Sequence, residues 1–236
     1  MYKIGNHWVP SADARGKRNK AKLQKMYIQH NGSVEPLLMA FEKIREAYPN
    51  NEMSTKSAID CGANVGSYTR ELSKVFAKTY SFEPSRDTFA CLERNVYEWD
   101  IYGRTHLYNA AVSDTRGYVG MGRDWGRLSI TSRVKGRGDI PAIPLDSLGL
   151  NDLGFLKLDV EGFELAALKG ATKMIKTSKP VVFMEVKPKE EAKSATPYAA
   201  QKYLLELGYE MVAEIGINRL YFPKQAMPHA SSSASQ

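Results

Sequence analysis

A chain of 236 residues, 43% of them hydrophobic, is long enough to bury one sizeable core and suits one domain with an appendage. Its two cysteines have neither metal-ligand spacing nor the number for a disulfide framework, and no run nears the roughly 20 apolar residues of a membrane span. That excludes a zinc module, a disulfide scaffold and a helical membrane protein, while the net charge of +7 points to acidic partners: nucleic acid, nucleotide-sugars, phosphorylated glycans or anionic lipid head groups.

The first residues, Met1-Tyr2-Lys3-Ile4-Gly5-Asn6-His7-Trp8, lack the apolar stretch of a signal peptide, so a cytoplasmic protein is expected. Residues 1–32 read as a basic arm. Arg15, Lys17, Arg18, Lys20, Lys22 and Lys25 crowd it, and they serve equally as an anion-binding or a solvated face. Within it, 17–28 is expected to be a helix with Leu23, Met26 and Tyr27 as a small apolar stripe. His7-Trp8-Val9-Pro10 would pack on the domain or close over a pocket. Asn31-Gly32-Ser33 marks a turn and a helix start. Val34, Leu37, Leu38, Phe41 and Ile44 then recur at helical spacing up to Tyr48-Pro49, with Pro36 tolerated in the first turn.

An α/β core is expected over 57–222. Strand 57–61, helix 67–77 and strand 79–83 form a first crossover, followed by helix 85–99 and strand 106–109. Alternating strands and helices imply a parallel sheet with right-handed crossovers. From 112 to 144 the helical period disappears. Segments 118–121, 129–132 and 142–145 read as short strands of an inserted hairpin unit, with Trp125 flanked by Arg123 and Arg127 in a second basic cluster. The core resumes with strand 155–159 and a helix from about Gly162, interrupted or capped at Gly170. Strand 180–186, a helix opened by Thr196-Pro197, and an antiparallel pair at 209–215 and 219–222 follow. Residues 226–236 have the composition of a disordered tail.

The chemistry concentrates at Ser57-Ala58-Ile59-Asp60-Cys61-Gly62-Ala63-Asn64-Val65-Gly66, a strand running into a glycine turn ahead of a helix. Glu83, 21 positions beyond Gly62, ends the next strand, where a carboxylate hydrogen-bonds a ribose diol. The glycines are four apart with no third, unlike the dinucleotide fingerprint, and Asp60 would repel a diphosphate. S-adenosylmethionine, with a sulfonium, an ammonium and a diol but no phosphate, suits this turn better. Asp159, at the end of one strand, and Glu185, on the adjacent one, lie at the functional edge of such a sheet. Asp159 would orient or deprotonate an acceptor hydroxyl. Glu185 would bind the acceptor or, with Asp159, a metal. The metal option is the weaker because no histidine has matching spacing, so no metal is expected. Glu161 binds the acceptor or caps the following helix. Cys61 and Cys91 are expected to be buried free thiols.

These segments together resemble the FkbM family of S-adenosylmethionine-dependent methyltransferases. The resemblance runs through 58–66, Ser81-Phe82-Glu83-Pro84, Asn109-Ala110-Ala111-Val112-Ser113-Asp114 and Ile143-Pro144-Leu145-Asp146-Ser147-Leu148. It continues in Leu156-Lys157-Leu158-Asp159-Val160-Glu161-Gly162-Phe163-Glu164 and Val182-Phe183-Met184-Glu185-Val186. Asp159-Val160-Glu161-Gly162 is its distinctive element. The resemblance implies a class I methyltransferase fold, a doubly wound, mostly parallel seven-stranded sheet ending in an antiparallel hairpin, here with a hairpin insertion. It places that domain at 33–225, between the arm and the tail.

It also implies that Asp60, Gly62, Asn64 and Gly66 line the methionine part of the cofactor, that Glu83 binds the ribose, that Asn109 and Ala110 meet the adenine, and that Asp159 lies beside the methyl group. Trp125, Arg127 and Glu161 are then the expected acceptor contacts. The expected activity is O-methylation of a hydroxyl on a sugar, glycan or related small molecule, neutral or anionic. The alternatives are RNA ribose 2′-O methylation, with nucleic acid held by the basic patches and Lys157 in a lysine/carboxylate cluster with Asp159, Glu185 and Lys187, or a non-catalytic cofactor-binding module. A dehydrogenase comes last, on the glycine spacing.

Overall fold

The computed structural model describes residues 1–122, 133–186 and 196–224. The N-terminal stretch is folded: β1 (Tyr2–Ile4) and β2 (His7–Val9) pair antiparallel, and α1 (Lys17–Gln24) continues into a single wide turn, Lys25–Gln29. Ile4, Val9, Ala14, Leu23 and Tyr27 form one apolar cluster with Val65 and Cys91 of the following domain. Next comes α2 (Glu35–Ala47), which buries Leu37, Ala40, Phe41 and Ile44, while Leu38 from the same apolar set is exposed.

The core then alternates: β3 (Ser57–Cys61), α3 (Ser67–Val75), β4 (Lys78–Phe82), α4 (Arg86–Glu98), β5 (Thr105–Tyr108). A small sheet follows, in which β6 (Ala111–Val112) pairs parallel and β7 (Gly117–Gly122) antiparallel with β8 (Arg133–Ile143). The expected strand at 129–132 lies outside the described residues, and the one at 142–145 is the end of β8 running into a 3₁₀ turn, Leu145–Leu148. The chain returns through β9 (Leu153–Leu158), α5 (Glu164–Gly170), α6 (Thr172–Ser178), β10 (Val181–Glu185), α7 (Thr196–Glu206), β11 (Tyr209–Ile215) and β12 (Asn218–Pro223).

Among the described residues the main sheet has seven strands in the order β11-β12-β10-β9-β3-β4-β5. Only β12 runs against its neighbours β10 and β11; the other pairings are parallel. This is the doubly wound, mostly parallel seven-stranded sheet ending in an antiparallel hairpin that the resemblance implies. Its strands alternate faces as the period of two demands. Ala58, Phe155 and Phe183 meet α2 and α3 through Leu37, Phe41, Ile44 and Leu72. Their neighbours Ile59, Leu156 and Val182 meet α5, α6 and α7 through Leu168, Ile175 and Leu204. With both faces covered, β9 is buried along its whole length, which is why it reads as a nearly unbroken apolar run.

Two helix boundaries differ from expectation for physical reasons. The helix after β9 begins at Glu164 rather than near Gly162, because Glu161 (φ 54°) and Gly162 (φ 107°) are left-handed. The second boundary lies at Gly170, where the run expected to be interrupted or capped resumes as a separate helix, α6. Its first turn is capped from a distance: both oxygens of Asp146 accept backbone N–H groups, from Lys173 at 3.0 Å and Met174 at 2.8 Å.

Candidate functional site

The strand order reverses beside β3: the chain steps outward through β4 and β5, then returns to β9 on the other side. Ligands of open α/β sheets bind in the crevice at the carboxyl ends of the strands at such a point. The turn after β3 occupies it. Gly62 (φ 77°), Asn64 (φ 55°) and Gly66 (φ 98°) are all left-handed, which reverses the chain within five residues. Gly62 is forced as well by packing, since a Cβ there would overlap the carbonyl oxygen of Asp159. The Asp159 N–H in turn donates to the Cys61 carbonyl at 3.1 Å, locking the turn to the end of β9.

Glu83, buried just past β4, ties the turn from the other side. One carboxylate oxygen accepts the Asn64 N–H at 3.0 Å and the other the Ser85 N–H at 2.8 Å. Burial nevertheless outweighs these hydrogen bonds and pushes its pKa up to about 7. Asn109 holds the same loop, its amide donating to the carbonyls of Glu83 at 2.9 Å and Pro84 at 3.2 Å. Ala110 is buried in the core. So Gly62, Asn64, Glu83 and Asn109 are brought together by direct contacts along the switch-point edge.

Asp60 sits differently. It is fully buried, with one oxygen accepting the Thr69 hydroxyl at 2.7 Å and the other 3.1 Å from the Lys157 ammonium. Lys157, opposite Asp60 in the β3–β9 register, also donates to the Gly62 carbonyl at 2.7 Å and lies 3.8 Å from Asp159. Its Nζ is 5.4 Å from the centre of the Tyr68 ring. Burial opposes the charge on Lys157, but the Asp60 and Asp159 carboxylates overcome it and hold the ammonium above its usual range. Cys61 is an inert thiol: burial, then the charge of Asp60, push it well above the ordinary thiol range. Cys91 is likewise buried and free.

Asp159, Glu161 and Glu185 form a third group. All are half-buried, and their carboxylates offer oxygens within 4.8 Å of one another, a hard-donor set that could hold a divalent cation. The Gly162 N–H ahead of α5 is taken by Glu164 at 3.0 Å. Trp125 and Arg127 lie outside the described residues.

Sequence reasoning missed three contributors. The first is Lys157 as the anchor of the turn. The second is Asn95, whose buried amide accepts the Trp8 N–H at 2.6 Å and donates to the carbonyls of Trp8 at 3.0 Å and Val65 at 2.8 Å, joining the N-terminal hairpin to the glycine turn. The third is His7, buried against Tyr27 and Trp99 with Nε2 3.2 Å from the Ser67 hydroxyl at the start of α3. A polar residue inside the apolar repeat of α4 was the only available signal for Asn95.

The family model for the methyltransferase FkbM domain matches residues 60–211. Among solved structures, methyltransferase FkbM from Methylobacillus flagellatus KT is similar, with a TM-score of 0.53 and 20% identity. The match covers 72% of this chain but spans only 44% of that one. Magnesium protoporphyrin IX methyltransferase from Synechocystis PCC 6803, solved with bound SAM, gives a TM-score of 0.47 at 13% identity, covering 89% of this chain and 93% of that one. An rRNA methylase from Streptococcus thermophilus gives 0.47 at 11% identity, covering 72% and 87%. No curated protein matches.

Proposed function

The chain belongs to the FkbM methyltransferase family, its match running over residues 60–211, and on that premise we propose that it uses S-adenosylmethionine to methylate a hydroxyl of a sugar, glycan or related small molecule. The observation that carries the cofactor reading is Glu83. It is a buried carboxylate at the tip of β4 whose pKa stays near 7 although both oxygens already accept backbone N–H groups. Each oxygen keeps a further lone pair, and the two O–H donors of a ribose diol are what would complete its shell. Gly62, Asn64 and Gly66 would lie along the methionine part, and Asn109 and the Ala110 backbone along the adenine. Asp60 would act from below the turn, through Lys157 and Thr69, rather than by touching the ligand.

The cofactor supplies an electrophilic methyl group on a sulfonium. The chain's part is then to position an acceptor oxygen in line and to take its proton, and positioning provides much of the rate in such transfers. Asp159 and Glu185 are our candidates for orienting that hydroxyl and receiving the proton. Their oxygens approach one another and Glu161 at the carboxyl edge, as a shared hydroxyl-binding cluster requires. Trp125 and Arg127 are assigned to acceptor contacts on their sequence pattern alone. We place the protein in the cytoplasm; no helix among the described residues is long and apolar enough to cross a membrane.

Ribose 2′-O methylation of RNA is the second reading, favoured by the six exposed basic residues between Arg15 and Lys25. Lys157 argues against it. That lysine is buried and engaged with Gly62 and Asp60 rather than free to face a ribose hydroxyl.

Calorimetric titration with S-adenosylmethionine, S-adenosylhomocysteine and NAD tests the cofactor. We expect saturable binding of the first two, none of NAD, and at least roughly tenfold weaker binding by Glu83→Ala, the loss of a pair of hydrogen bonds to a charged group. A folded protein that binds neither adenosyl ligand sinks the reading.

A further inference from the structure

Among the described residues Lys157 is the one buried lysine, and it is placed where charge matters. Its ammonium touches the carbonyl of Gly62 at 2.7 Å, Asp60 at 3.1 Å and Asp159 at 3.8 Å. Lys157 is therefore flanked by two carboxylates, a group of net charge −1 on the β9 side of the glycine turn, with Glu83 on the β4 side. Burying an ion costs several kcal/mol, and a neutral donor would hold the Gly62 carbonyl as well. The fold nevertheless keeps a full positive charge here, stabilised by the two carboxylates.

We propose that Lys157 is a positioning residue that sets the charge preference of the cofactor pocket, cancelling one of the two flanking carboxylates so that the cationic sulfonium and the neutral thioether product bind with comparable strength. The inference rests on the reading that S-adenosylmethionine occupies this turn. Its chemical logic concerns turnover. Methyl transfer removes one positive charge from the ligand, so a pocket of strongly negative potential would hold the substrate form far more tightly than the product form. A pocket trimmed by one cation evens the two, and fresh cofactor and spent product exchange on similar terms.

The test is the ratio of dissociation constants, S-adenosylhomocysteine over S-adenosylmethionine, measured by calorimetry at fixed pH and ionic strength on the full chain. Lys157→Met removes the cation and should raise the ratio roughly tenfold, the scale expected of one partly screened unit charge several ångströms away. Asp60→Asn keeps the side-chain shape and the acceptor for Thr69, leaves Lys157 facing Asp159 alone, and should lower the ratio by about the same factor. A lysine that merely props the turn predicts something else: both ligands weaken together and the ratio stays put. Circular dichroism checks that each variant is folded; if Lys157→Met is not, Asp60→Asn decides by itself. Folded variants whose ratios stay within about twofold of wild type overturn the inference while leaving the cofactor reading standing. Wild-type protein that binds neither ligand overturns both.

Discussion

Glu83 holds the glycine turn through two backbone N–H groups and, on our proposal, would also bind the ribose of the cofactor. Its folded pKa is near 7, against 4.5 in its ordinary state, and burial is the cause. A carboxylate with a raised pKa holds its proton in the folded state over a window where the unfolded chain has lost it. Stability from this group is therefore fully present below about pH 4.5 and declines as pH rises to about 7, by at most about 3 kcal/mol. Buried His7 works the other way. Desolvation, helped by the charge of Arg70, lowers its pKa to about 4 from 6.5, so its contribution is lost as pH falls through that range. The two slopes overlap and oppose, and a stability curve of the whole protein would show neither. Comparison of wild type with Glu83→Gln by urea unfolding at pH 5 and pH 8 isolates the first. The variant should gain on wild type at the higher pH by up to about 3 kcal/mol. A difference that does not change with pH would mean that Glu83 is ionised throughout. The same carboxylate should release a proton near pH 7 when a diol donates to it, so the binding enthalpy of S-adenosylmethionine should vary with the ionisation heat of the buffer in wild type and not in Glu83→Gln.

At the scale of elements, the glycine turn is held from three directions: β9 through Lys157 and Asp159, β4 through Glu83, and α4 through Asn95. The last is the most exposed to a single change. Asn95→Ala strands the buried Val65 carbonyl and the half-buried Trp8 carbonyl and N–H, and should cost about 2–4 kcal/mol. Hydrogen exchange should accelerate at the Trp8 and Gly66 amides, and cofactor affinity should fall although Asn95 lies outside the proposed contact set. Unchanged exchange at both amides would show that the hairpin is held by its apolar contacts alone.

The elements also show what local sequence can and cannot reveal. The β3 turn, the acid 21 positions on and the apolar runs of β9 and β10 were legible because each is a short-range pattern: a periodicity, a spacing, a glycine that must be left-handed. The cap of α6 beyond the interruption at Gly170 was not, because Asp146 supplies it from 27 and 28 positions upstream. Lys157 enters the sequence reading only as part of a lysine/carboxylate cluster with Asp159, Glu185 and Lys187. Its meaning comes from the β3–β9 register, which sets it opposite Asp60, and register across a crossover of this length leaves no local trace. Likewise His7-Trp8-Val9-Pro10 is open in sequence between packing on the domain and closing over a pocket, and only the folded chain shows Val9, Leu23 and Tyr27 sharing a cluster with Val65 and Cys91.

For the molecule as a whole, that cluster raises the question of what residues 1–32 contribute: shape, charge or both. The stretch buries Ile4, Val9, Leu23 and Tyr27, each worth about 1.5–3 kcal/mol when removed from water. It places His7 against Ser67 and Trp99, and Trp99 donates to the Asn6 carbonyl at 2.8 Å. Its six basic side chains between Arg15 and Lys25 are all exposed, and exposed charges contribute little to stability. The two roles are therefore separable. Deleting 1–32 uncovers Val65, Cys91 and Trp99 and should lower the melting temperature by about 10 °C or more, since each kcal/mol is worth about 2–4 °C in a chain of this size. Replacing the six basic residues by Gln leaves the packing intact and should shift melting by no more than a few degrees. If the acceptor is RNA, the Gln variant should instead lose affinity for it and flatten the dependence of binding on salt, because each phosphate contact removed lowers that slope by about one. If the acceptor is a neutral sugar, methyl transfer by the Gln variant should equal that of wild type at every ionic strength. A deletion that melts with the full chain would show that the stretch rests on the domain without supporting it, and the stability assigned to its apolar contacts would have to be withdrawn.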